Sequence, residues 1–118
     1  MRFRAPWTLA LAVSVYAAPV HAQSQEEQAL DLLRASSAQS AIITFCDKHY
    51  AIDGTTALRI SQTARDVATK VLGQERANAA FKDELARRYA EVKEVGEQQW
   101  CTDQREELSE GEVRIFKN

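Results

Sequence analysis

The distribution of proline constrains the fold of this chain more than any other feature. Both prolines, Pro6 and Pro19, lie near the amino terminus, and the residues after them are rich in Ala, Gln, Glu and Arg, which favour helices. Because this long proline-free part contains only four glycines, we predict an all-α fold. The expected architecture is a small three- or four-helix up-down bundle.

Residues 1–22 have the pattern of a signal peptide. Two arginines precede a short apolar core. A proline and small or medium-sized side chains follow the core up to Ala22. We therefore predict cleavage after Ala22, a single helical domain with a short carboxyl-terminal tail over residues 23–118, and a periplasmic or secreted location. The alternative is an uncleaved anchor, although the apolar core is shorter than the roughly 20 residues that cross a bilayer.

The chain has two cysteines, Cys46 and Cys101, and export would place them in an oxidising compartment. The simplest prediction is one intramolecular disulfide. In an up-down-up bundle the first and third helices end on the same side, and each cysteine lies near one of those ends. Such a bridge stabilises a domain by roughly 4 kcal/mol in the chain-entropy model. A bond between two chains is the alternative, and a redox-active pair is disfavoured because no Cys-x-x-Cys motif is present.

The first helix of the mature chain is predicted to begin at Ser24, which is a favourable N-cap, and to end by Tyr50. The Ser36-Ser37 pair could split it into two shorter helices. One stripe of this helix carries apolar side chains, namely Leu30, Leu33, Ala41 and Phe45.

The second helix is predicted to follow the Asp53-Gly54 turn and to be capped by Thr55 or Thr56. Gly73 is the expected end of this helix. The residues predicted to face the core are Ile60, Ala64, Val67 and Val71, which are spaced four, three and four positions apart.

The third helix is predicted to be the longest, with Cys101 near its end and a possible bend at Gly96. Its broad apolar face comprises Ala77, Phe81, Leu85, Val92 and Val95, with Tyr89 at the edge. A second face of small residues comprises Ala79, Ala86, Ala90 and Cys101. These small residues would either admit a close neighbouring helix or simply be exposed helix formers.

The stretch from Thr102 to Glu110 is predicted to continue the helix or to start a short one, and Gly111 should end it. The following tail could pack Val113, Ile115 or Phe116 onto the domain. Alternatively, the tail could be a mobile arm that uses Phe116 to bind another molecule.

The formal net charge of the chain is −2, and loss of the two leader arginines would change it to −4. Nucleic-acid binding requires a basic surface, so we do not expect a nucleic-acid partner. No segment after residue 22 is apolar enough to predict a membrane span.

No catalytic motif is recognisable in the sequence, so we predict a non-enzymatic protein without a cofactor. After cleavage the only histidine is His49, three residues from Cys46. This is a possible metal-ligand spacing on a helix, but a disulfide would remove Cys46 from any ligand set. We therefore predict no metal site and retain metal binding only as a remote alternative.

The leading functional hypothesis is that the chain binds another protein, as an envelope accessory factor, an inhibitor or a subunit. The candidate interaction surface lies at the disulfide end of the bundle, where aromatic side chains collect. Its members are Phe45, His49, Tyr50, Trp100 and Phe116. Ordinary core packing is the alternative explanation for the aromatic members.

A second hypothesis is an acid- or stress-responsive chaperone. In size, export signal, helical composition and one widely spaced cysteine pair, the chain is similar to the small periplasmic acid-stress chaperones, although it contains none of their motifs. Protonation of its seventeen carboxylates would leave a positive, loosened chain that exposes apolar stripes.

Overall fold

Four helices form most of the chain. The computed structural model describes the backbone of residues 4–111 and 114–117, with side chains from Ser24 onward. The helices are α1 (Arg4–Phe45), α2 (Gly54–Leu72), α3 (Gln74–Val95) and α4 (Glu97–Leu108). The predicted all-α helical bundle is therefore confirmed, with four helices. Within the described residues, no helix has a stretch long and apolar enough to cross a membrane.

Helix α1 continues through two positions where the sequence suggested an end. Ser24 lies inside the helix, so the predicted N-cap is wrong for the unprocessed chain. The helix is also not split at Ser36-Ser37. The Ser37 hydroxyl donates to the Arg34 carbonyl at 2.8 Å, and the Ser36 hydroxyl donates across to α2 at the Ser61 carbonyl at 2.8 Å. Since both hydroxyls find acceptors in the helical conformation, the serines do not interrupt α1.

Asp53, rather than Thr55 or Thr56, caps α2. Its carboxylate accepts the Thr56 backbone N–H at 3.1 Å and the Thr56 hydroxyl at 2.7 Å. The prediction of a threonine cap is wrong because the turn residue itself supplies the capping oxygen.

Two glycines divide the second half of the bundle. Gly73 and Gly96 have φ values of 88° and 100°, a region that side chains with a Cβ rarely adopt. Gly73 ends α2, as predicted, and Gly96 separates α3 from α4. Cys101 therefore lies in α4, and the prediction that placed it near the end of a long third helix is wrong.

Helices α1 and α3 run parallel, since Glu26 in the middle of α1 pairs with Arg76 near the start of α3, and Phe45 at the end of α1 contacts Tyr89 further along α3. Helix α2 lies between them in the sequence and runs antiparallel to both, because the connections before and after it are short. Helix α4 runs back along α1, because Cys101 bonds to Cys46 while Leu108 shares a groove with Ala38. The first three helices thus have the predicted up-down-up order, and α4 contacts α1 and α3.

Helix α2 packs through small residues instead of large aliphatic ones. Its buried positions are Ala57, Ser61, Ala64 and Ala68. Val67 and Val71 remain 44% and 49% exposed, so the predicted seam is wrong at these two positions. Small side chains permit a close approach of α2 to α1, and this approach rotates the valines towards solvent.

The face of α3 that contacts the core is close to the predicted one. Ala77, Phe81 and Val92 are buried, whereas Val95 is exposed beside the break at Gly96. The predicted second face is not used for packing, because its three alanines are exposed, and these are Ala79, Ala86 and Ala90.

A layer of hydroxyl groups separates two apolar clusters in the core. The cluster at the disulfide end includes Ile42 and Trp100, and the other includes Leu33 and Phe81. Between them, Ser61 Oγ lies 2.8 Å from Ser36 Oγ and 3.1 Å from Ser40 Oγ, and donates to the Ser36 carbonyl at 3.0 Å. These bonds fix the register of α1 against α2.

The tail packs onto the loop between α1 and α2. Ile115 and Phe116 are buried, and Phe116 forms an isolated antiparallel bridge with Ile52. The Lys117 backbone N–H donates to the Ala51 carbonyl at 2.9 Å. Val113, for which the sequence suggested burial, lies outside the described residues.

Replacing Ser61 with valine should lower the free energy of unfolding by about 1–3 kcal/mol, because added methyl groups overfill the close α1–α2 contact and its hydroxyl bonds are lost. Urea denaturation measures the change. Thr63→Val, on the exposed side of α2, is the control and should stay within about 0.5 kcal/mol of the parent. Equal stability of the two variants would contradict the proposed role of the hydroxyl layer.

Candidate functional site

The disulfide Cys46–Cys101 is the centre of the candidate site. Its Cα atoms lie 5.5 Å apart, and both cysteines are fully buried. The predicted intramolecular pairing is therefore confirmed. The five residues of the predicted interaction surface belong to the end of α1, the loop that follows it, the first half of α4 and the tail.

Two of these five residues are part of the core. Trp100 and Phe116 are only 3% and 8% exposed. The Trp100 indole Nε1–H donates to Glu91 Oε1 at 3.3 Å, which gives its one polar atom a partner. These rings pack beneath the surface and offer little area to a partner.

Tyr50 connects the tail to α4. Its hydroxyl lies 2.6 Å from Thr102 Oγ1, and its ring meets the Phe116 ring edge-on with centroids 5.6 Å apart. The Arg105 guanidinium stacks over the same ring at 5.1 Å. Tyr50 is thus half-buried and held from three sides.

Phe45, the last residue of α1, packs against the apolar cluster at the disulfide end and contacts α3. It is half-buried and makes an edge-to-face contact with Tyr89, with ring centroids 5.0 Å apart. Tyr89, predicted at the edge of the apolar face, is exposed.

His49 forms a polar clasp with Glu97, in the first turn of α4. His49 Nε2 lies 3.0 Å and Lys48 Nζ 2.8 Å from Glu97 Oε1. The bond from Lys48, followed by that from His49, lowers the pKa of the Glu97 carboxyl below its usual range. The clasp therefore joins the end of α1 to the start of α4 while Glu97 is ionised.

Asp53 supports both α2 and the tail. Hydrogen bonds from the side chain and then the backbone of Thr56 lower the pKa of the Asp53 carboxyl. Its own backbone N–H donates to the Ile115 carbonyl at 2.8 Å. A single residue thus begins α2 and anchors the segment that carries Phe116.

A cleft of about 180 Å³ lies between α4 and the tail, and Phe116 is the one lining residue that belongs to the predicted interaction surface. We call it the tail cleft. Its walls combine apolar side chains with three cations, and the lining residues are Arg105, Leu108, Ser109, Arg114, Ile115, Phe116 and Lys117. The sequence signal was present, because basic residues recur in this otherwise acidic part of the chain.

A second depression, which we call the interhelical groove, lies where α4 crosses α1 and α3. It has a volume of about 400 Å³. Its lining residues are Arg34, Ala35, Ala38, Gln39, Arg88, Glu91, Gln104, Glu107 and Leu108. Gln39 Oε1 and Arg88 Nε are buried, and neither has a hydrogen-bond partner among the residues that the structure describes. No local sequence pattern predicted this groove.

Metal-ligand side chains do not converge among the residues that the structure describes. No group of three or more His, Cys, Asp or Glu side chains there could hold a metal ion. Cys46, the residue that could have acted with His49, is bonded to Cys101.

Comparison with known proteins yields no relative from which a role could be inferred. No protein-family model matches the chain, and no curated protein or solved structure is significantly similar to it.

Replacing both cysteines with alanine should lower the free energy of unfolding by about 4 kcal/mol, because the bridge closes a loop with a sequence separation of 55. Urea denaturation followed by Trp fluorescence measures the loss. The parent protein kept reduced, with both thiols free, is the matched control and should lose a similar amount. A loss below about 1 kcal/mol in both would show that the bridge is not what holds α4 in place.

Proposed function

We propose that this chain is a small exported, non-enzymatic binding protein, and that the tail cleft takes an acidic, partly apolar segment of a partner protein. Residues 1–22 would direct export and be removed. The buried Cys46–Cys101 bond supports an oxidising compartment, in the periplasm or outside the cell.

The composition of the tail cleft carries this proposal. Half-buried Leu108 provides most of the apolar wall, because Ile115 and Phe116, which also line the cleft, are buried. Arg114 and Lys117 place exposed cations at the edge. Tyr50 positions the third cation, on Arg105, by stacking. A cluster of cations on a chain with a formal net charge of −2 favours a complementary acidic ligand.

Three residues of the predicted interaction surface support the tail cleft. Phe116 lines it, Tyr50 packs against Phe116, and Trp100 fills the core near the disulfide. His49 keeps α4 attached through Glu97. Their proposed role is to hold the cleft in shape, while Arg114 and Lys117 make the polar contacts to the partner.

Reversing the charge of both Arg114 and Lys117 to glutamate should weaken binding of an acidic peptide at least tenfold, since two attractive contacts become repulsive. The probe is a fluorescein-labelled peptide of alternating Glu and Leu residues, and fluorescence anisotropy gives its Kd at low and high salt. The matched control reverses Lys82 and Lys93, which are exposed on α3 outside the cleft. Equal weakening in both double variants would reduce the effect to net charge and overturn the proposal.

An acid-responsive chaperone is the second candidate, and two carboxyl groups favour it. Asp53 and Glu97 both have lowered pKa values and fasten the tail and α4. Because each pKa is lower in the folded chain, the ionised carboxylates stabilise the fold at neutral pH. That stabilisation is lost as the pH falls through the folded pKa values. Detachment of the tail and α4 would then expose Trp100 and Phe116.

In the double variant Asp53→Asn, Glu97→Gln, the free energy of unfolding should fall less steeply below about pH 5 than in the parent, because neither replacement titrates. Chemical denaturation across the pH range measures this change. If the parent is a chaperone, it should lose its near-ultraviolet circular dichroism at pH 3 and suppress aggregation of malate dehydrogenase there. A parent that keeps its tertiary structure and leaves the aggregation unchanged at pH 3 eliminates this candidate.

A further inference from the structure

The tail pairs with the loop between α1 and α2 along one of its two edges. The Ile115 carbonyl accepts a backbone N–H of that loop at 2.8 Å, and the Lys117 N–H donates to a loop carbonyl at 2.9 Å. Phe116, which lies between them, is the bridge residue. In an extended chain, the N–H and C=O groups of successive residues point to opposite edges. The N–H and C=O groups of Phe116 therefore point away from the loop.

The other edge of the tail borders the tail cleft. The four tail residues 114–117 all line the cleft, and the loop residues 51–53 do not. Neighbouring side chains of an extended segment point to opposite faces, so four consecutive lining residues indicate that the backbone edge forms this wall. No hydrogen bond to the N–H or C=O of Phe116 is present within the part of the chain that the structure describes. This edge is thus open to a further backbone.

An unpaired strand edge binds an extended peptide by adding a strand, and the main-chain hydrogen bonds contribute the affinity. We propose that the acidic segment of the partner lies extended in the tail cleft and pairs with the tail. Its backbone would donate to the Phe116 C=O and accept from the Phe116 N–H. This inference rests on the proposed function, because it concerns the same cleft and specifies the conformation in which the partner is bound.

The side chains around this edge suit an extended segment that is both acidic and apolar. Alternate side chains of such a segment point to opposite faces. One set can pack on half-buried Leu108, while the other pairs with the exposed cations of Arg114 and Lys117. A helical segment could not pair with the tail in this way, because its own N–H and C=O groups are bonded to each other.

A second copy of this chain fits the edge less well. Its tail would bring the same two cations, on Arg114 and Lys117, against the tail that it pairs with. Like charges on paired strands are destabilising, whereas an acidic partner complements these cations. The charge of the tail therefore favours a different, acidic chain.

Hydrogen exchange of single amides, measured by nuclear magnetic resonance on the oxidised protein, gives a direct test. In the free protein, the Phe116 N–H should exchange at least tenfold faster than the Lys117 N–H, because only Lys117 donates to the loop. Saturation with the peptide of alternating Glu and Leu residues should slow exchange at Phe116 at least tenfold. The Lys117 N–H is the internal control and should change much less.

A depsipeptide of the same sequence separates backbone pairing from charge. Ester oxygens replace its backbone N–H groups, so it keeps the side chains and the charge but has no backbone donor. We expect its Kd, measured by fluorescence anisotropy, to be about tenfold higher than that of the peptide. The same ratio should persist in the double variant Lys82→Glu, Lys93→Glu, whose changes lie on α3 outside the cleft.

The test distinguishes failure of strand pairing from failure of the proposed function. Equal binding of peptide and depsipeptide, without slower exchange at Phe116, would overturn strand pairing and leave the acidic ligand in place. Binding of neither probe would overturn both. Exchange at Phe116 that slows with rising protein concentration, in the absence of peptide, would assign the edge to a second copy and would also overturn the inference.

Discussion

The covalent tie between Cys46 and Cys101 is the constraint on which the functional end of this bundle depends. Helix α4 is short and mostly polar, and Trp100 and Cys101 are its only buried residues. So small an apolar contact would hold a twelve-residue helix weakly, since most helical stability comes from packing. The bond fixes α4 on α1, and in doing so it creates both the tail cleft and the interhelical groove.

The rest of the bundle is held by a different kind of contact. Between α1 and α2, small side chains and serine hydroxyls replace the large aliphatic interface that is typical of helical bundles. The bonds among Ser36, Ser40 and Ser61 satisfy their polar atoms, so burial of the hydroxyls is not destabilising there. Because these bonds are directional, they favour one register of the two helices over neighbouring ones.

Sequence reasoning predicted the helical class, the disulfide and the glycine at the end of α2, because each follows from local chemistry or residue counts. It misplaced the inner face of α2, since Ala57, Ser61, Ala64 and Ala68 repeat with the same four-three-four spacing as the more hydrophobic set containing Val67. Hydrophobicity favoured the larger side chains, while close helix packing favoured the smaller ones. The groove could not be predicted, because it arises where three helices cross.

The bridge between Ile52 and Phe116 joins segments that are 64 residues apart. Contacts of such long range carry a large loop-closure cost and tend to form after local structure. During synthesis from the amino terminus, α1, α2 and the bonding partners at 46 and 101 are all made before the tail emerges. A chain trimmed at its carboxyl terminus would therefore lose the tail cleft together with Ile115 and Phe116, two members of the apolar cluster at the disulfide end.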